Sequence, residues 1–147
     1  MASDFPLPSF TAQDALVAVM VAVSASDENI SNNELISIGR MVESLPVFVG
    51  FDRDRLAMVS QTVFDLFEEE DGLDALFGLL RDALPERLHE TAYALACDVA
   101  AADGQTFQAE LRFLQELRYE LNIERLHAAA IERGSAARHR RLPEAEG

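Results

Sequence analysis

The chain has no lysine, no tryptophan and a single cysteine, and each scarcity narrows what it can do. With every base an arginine, and 26 acids against 12 bases, the formal charge is −14. That balance opposes phosphate backbones, because nucleic-acid binding draws its non-specific affinity from cationic side chains that release counterions. No nucleic-acid partner is expected. The lone Cys97 excludes an intramolecular disulfide and suits a reducing compartment. It sits among small apolar neighbours in "YALACDVAAAD", which reads as a packed free thiol. Catalysis there would need a thiolate and an activating base, and the nearest histidine in sequence, His89, is eight residues away. The longest apolar run, Ala15 to Val23, is nine residues, far below the roughly 20 that span a bilayer. The opening "MASDFPLPSF" has no basic n-region and carries two prolines where an apolar h-region would lie. The expectation is a cytoplasmic protein without membrane insertion.

What is present points to a helical core. At 147 residues and 49% hydrophobic content, the chain is long enough to bury a core and short enough for one domain. Nine Phe and two Tyr set among abundant Leu and Ala imply an aliphatic interior with Phe anchors between helices. Thr11, with Asp14 three residues on, marks a capped helix start, after which Leu16, Val19, Met20 and Val23 recur at helical spacing. The near absence of polar residues from Ala15 to Val23 implies burial on more than one side, a central helix. Ser31 and Glu34 form a second capping-box pattern, followed by Leu35, Ile38, Met41, Val42 and Leu45 up to Pro46.

Beyond a connection capped at Asp52, a third helix buries Leu56, Val59, Val63, Phe64 and Phe67. A fourth amphipathic segment follows the Asp71-Gly72 break and ends before Pro85. The alanine-rich stretch after Glu86 places Leu88, Ala92, Leu95, Ala96 and Val99 on one face. Its small side chains allow close packing of helix axes, against the first helix at the centre. Then come Leu111, Leu114, Leu117 and Leu121 on a sixth helix, and a short last one over about residues 123–132. No stretch alternates with a period of two or carries a hairpin turn. The fold class is therefore all-α, a compact bundle of about six or seven helices. Residues 1–10 read as a leader, 11–132 as the domain and 133–147 as a frayed, arginine-containing tail. That tail carries net +2 and leaves −16 on the rest.

An internal repeat organises the bundle. A shift of 76 residues takes Asp27 to Asp103, Glu34 to Glu110, Leu35 to Leu111 and Ile38 to Leu114. Each copy is an apolar helix, a short acidic turn and an amphipathic helix, which reads as a duplicated helix-turn-helix unit. The segments "AVSASDENISNNELISIGRM" and "DVAAADGQTFQAELRFLQEL" resemble the TerB-like proteins associated with tellurite resistance, over about residues 12–132. The family pattern is an apolar helix ending in alanines, Asp-Gly, a small apolar residue and a glutamate at the start of the next helix. Glu28 replaces the glycine in the first copy, and Thr106 stands where Ile30 does.

The resemblance implies a non-enzymatic binding protein of the stress response, working with protein partners in a membrane-associated complex. It also implies Asp27, Glu34, Asp103 and Glu110 as candidate ligands of a divalent cation. Asp98 is a weaker addition, since Ala22 occupies the corresponding position.

The residues themselves leave two readings of these turns open. If both turns lie at one end of the bundle, four carboxylates would suit a hard cation such as Ca²⁺, Mg²⁺ or Mn²⁺. Alternatively, Glu34 reaches back to Ser31 in a capping box, Asp27 ends a helix, and the module is a scaffold whose acidic surface docks a basic partner. An EF-hand is excluded: a loop begun at Asp27 has Asn32 at its sixth position and Ile38 at its twelfth, and one begun at Asp103 has Phe107 at its fifth. The run Glu68 to Asp71 reads as a solvated helix end, and His89, His127 and His139 show no metal-type pairing. No nucleophile elbow, phosphate loop or dinucleotide fingerprint occurs, so no enzyme is expected.

Overall fold

A computed structural model describes residues 10–26, 30–102 and 108–143. Among them are seven α-helices and no strand: α1 (Ala12–Ala25), α2 (Asn32–Ser44), α3 (Arg55–Phe67), α4 (Gly72–Ala83), α5 (His89–Ala101), α6 (Gln108–Glu120) and α7 (Arg125–Arg138). Short 3-10 turns at Pro46–Phe48 and Glu86–Leu88 lead into α3 and α5.

Helix α1 is the axis of the bundle. Every residue from Asp14 to Ser24 is buried, as a helix without a polar face demands. It packs against α2, α3, α4, α5 and α6. Its start is fixed by the capping box, in which the Asp14 amide donates to Thr11 Oγ1 and the Thr11 amide donates to Asp14 Oδ2, each at 3.0 Å. The Asp14 carboxylate has no exposed surface, and Arg55 of α3 reaches it through Nε at 2.8 Å and Nη2 at 2.5 Å. Burial alone would push this carboxyl up; the Arg55 and Thr11 hydrogen bonds and the guanidinium charge together hold it below the usual carboxylate range.

The alanine-rich α5 packs against α1, α2, α6 and α7. Phe77 of α4 stacks on Phe113 of α6, with ring centroids 5.7 Å apart. Phe113, unmarked by the leucine spacing of its helix, is thus a core anchor. Helix α6 ends where Asn122 adopts φ 54° and the Ile123 amide donates to the Arg118 carbonyl, a left-handed cap that turns the chain into α7.

Three expectations are corrected. The last helix does not stop near residue 132: α7 runs to Arg138, held where Ser135 is buried and Arg138 donates to Asp98 of α5 at 2.7 Å. The tail is therefore ordered helix over six residues that low apolar content had assigned to fraying. Leu35 and Leu111 are not core residues but 54% and 43% exposed. Phe64 is likewise 36% exposed at the end of α3.

Candidate functional site

Glu34 and Glu110 account for the exposure of Leu35 and Leu111. In α2 the buried positions are Glu34, Ile38 and Val42, a stripe at steps of four. In α6, Glu110 heads a buried set with Phe113 and Leu117, at steps of three and four and offset by one position from the α2 stripe. Each glutamate sits in the first turn on the core-facing side and is 1% exposed. The residue after each is rotated about 100° around the helix and faces outward. Both helices pack against the same central pair, α1 and α5. Helical periodicity carried this signal, but a glutamate on an apolar stripe is easily passed over in favour of the leucine beside it.

The first site is built by local chemistry. Ser31, in extended conformation at φ −79° and ψ 157°, caps α2: the Glu34 amide donates to Ser31 Oγ at 3.1 Å and the Ser31 amide donates to Glu34 Oε1 at 3.0 Å. The capping reading of Glu34 is correct at this level. It does not explain the burial, because capping boxes form equally well on exposed helix ends. Asp27 and Asp103 lie outside the described residues, as does Thr106. Among the described residues, no group of three or more His, Cys, Asp or Glu side chains is arranged to hold an ion. The structure thus positions two of the four principal candidates, Glu34 and Glu110. Asp98 is committed elsewhere, to Arg138 at 2.7 Å and with His139 Nδ1 at 3.9 Å.

Other titratable groups serve packing. Burial pushes the Cys97 thiol up to about 12. A protonated thiol is a poor nucleophile. Burial and the Glu132 carboxylate, which accepts a 2.5 Å hydrogen bond from Tyr93 Oη, raise the phenol as well. His89 Nδ1 lies 3.1 Å from the Leu121 carbonyl, and His127 sits between Glu90 at 3.0 Å and Glu124 at 3.6 Å. The acidic run after α3 is exposed, as expected of a solvated helix end, yet it borders a cleft of about 720 Å³ between α3, α4 and α6. No described helix is long and apolar enough to cross a membrane.

The all-α bundle fits the one comparison that identifies the chain. No curated protein and no solved structure matches it. Residues 13–133 match the family model described as tellurite resistance protein TerB. That match runs from the first turn of α1 into α7, and the chain accordingly belongs to the TerB family, associated with tellurite resistance.

Proposed function

We propose that the protein acts in the stress response by binding rather than by catalysis, and that its acidic turns take a divalent cation. The observation that supports this is the burial of Glu34 and Glu110, each 1% exposed in the first turn of its helix, each seven residues after an aspartate. A carboxylate removed from water costs free energy that a nearby positive charge offsets, and the attraction strengthens as the local dielectric falls. Carboxylate oxygens fit a hard ion, so Ca²⁺, Mg²⁺ or Mn²⁺ is the matching class. Asp27 and Asp103 would complete the ligand set with Glu34 and Glu110. The ion would supply charge neutralisation and a tie between the two turns.

The competing reading is a cytoplasmic scaffold that docks a protein partner in a membrane-associated complex, with structural motif carboxylates. The capping box at Ser31 and Glu34 favours it. Thermal unfolding of the wild type and of Asp27→Ala/Asp103→Ala, titrated with each cation at constant ionic strength, separates the two. A saturable rise in midpoint confined to the wild type supports the cation site. Equal responses, or none, leave the scaffold.

A further inference from the structure

The cleft between α3, α4 and α6 has an apolar floor and an acidic rim. Phe64, Phe67 and Leu73 contribute exposed or half-buried apolar surface to it. Around them stand Glu68, Glu69, Glu70 and Glu116, all exposed, against one arginine, Arg112. Among the described residues none of these four glutamates is in an ion pair, whereas Glu43, Glu120 and Asp98 elsewhere on the bundle are matched by arginines.

The rim is held in place by backbone. Gly72 approaches the end of α3 so closely that a Cβ there would lie 1.5 Å from the Leu66 carbonyl oxygen, and its amide donates to Glu69 O at 3.1 Å. The three consecutive glutamates therefore sit on a tight turn whose shape glycine permits. Ser26 and Ile30, flanking the first acidic turn, line the other side.

We propose that this cleft docks a cationic amphipathic segment of a partner protein, an Arg- or Lys-bearing stretch with a large apolar anchor seated on Phe64 and Phe67. Complementarity of charge selects this occupant. Four carboxylates over an apolar floor repel an anionic membrane and an acidic peptide, and a chain carrying −14 repels a second copy of itself. The inference deepens the scaffold reading, rests on it, and needs no ion.

The test is selection of a random-sequence peptide display library on the full chain, with the enriched peptides then measured by fluorescence anisotropy. The expected peptides are net positive with a Leu, Phe or Trp anchor. Their affinity should fall roughly tenfold in Glu68→Gln/Glu69→Gln/Glu70→Gln and comparably in Phe64→Ser. A control that removes as much charge elsewhere, Asp54→Asn/Asp82→Asn/Glu86→Gln, should bind within about twofold of wild type. Neutral or acidic winners overturn the proposal, as does an equal loss in both triple variants, which would mean bulk charge alone. Cationic winners that ignore Phe64→Ser and the cleft triple overturn the cleft while sparing the scaffold reading. A concentration-dependent dimer dissolved by Phe64→Ser would assign the cleft to a second copy and overturn it too.

Discussion

The α1–α2 and α5–α6 regions are alike where the helices begin and unlike where they pack. The shift of 76 residues carries the bounds of α2 onto those of α6 and the last residue of α1 onto that of α5. Glu34 and Glu110 share 1% exposure, and the leucines after them both face solvent. The preceding helices diverge. Helix α1 is buried from Asp14 to Ser24, whereas α5 leaves Thr91, Ala94 and Asp98 partly exposed. Helices α3 and α4 follow α2 and close over α1, while the single helix α7 follows α6 and lies along α5. Burial of a first-turn glutamate thus recurs in α2 and α6, while burial of the preceding helix is decided by what packs on it.

The largest effect is expected in the α3–α4 pair that closes over the first region, at the turn between them. Gly72→Ala would drive a methyl into the Leu66 carbonyl and should cost on the order of 3 kcal/mol, roughly 10 °C in unfolding midpoint. Gly78→Ala, in the same helix with nothing within 4 Å of the added carbon, should instead be neutral or stabilise by up to about 1 kcal/mol. Calorimetric midpoints of the pair check both signs.

Next come Val23 and Val99, related by the shift and each 0% exposed. Truncation of either to alanine should cost about 2 kcal/mol, from two buried methyl groups and the cavity they leave. Denaturation midpoints differing by more than about 1 kcal/mol would show that the two helices are not equivalent even at their best-matched position.

A smaller, sharper contrast lies at the caps. Ser31→Ala removes one side of the box with Glu34 and should cost about 1 kcal/mol. Asp14 adds a pH dependence that belongs to α1. Its folded pKa lies below the ordinary value of 3.8, so the carboxylate contributes stability at pH above that value, and the contribution is lost as pH falls through the folded value. Asp14→Asn should therefore be less stable than wild type at neutral pH and lose less on acidification below about pH 3.8, as pH-dependent unfolding would show. The smallest perturbation is a reactivity. Cys97, its thiol pushed up to about 12, should resist alkylation at pH 8 in the folded protein and react at once on unfolding.

Much of this was legible because helical spacing, capping pairs and Gly-Pro punctuation act locally. Thr11 with Asp14 and Ser31 with Glu34 are visible as residue types three apart, and both boxes form. The unbroken apolar run of α1 could be satisfied only by burial on all sides. What was not legible depends on distant partners. Nothing near Arg138 in sequence marks Asp98, on a helix about 40 residues earlier, as the partner of the last residue of α7. Likewise, nothing near Phe113 points to Phe77, or near Glu68 to the cleft that Arg112 and Glu116 complete from another helix. At the candidate site, the glutamates are marked by their spacing from an aspartate, while their depth depends on the packing of α2 and α6 onto α1 and α5.

The most direct test of the central proposal is paramagnetic broadening by Mn²⁺ in amide correlation spectra of the full chain. A cation held by the acidic turns predicts, at substoichiometric Mn²⁺, selective loss of signals from about Ser26 to Glu34 and from Ala102 to Glu110, reversed by excess Mg²⁺ or Ca²⁺. Broadening centred on Glu68 to Glu70, or spread evenly over exposed acids, would contradict it and leave the turns as architecture.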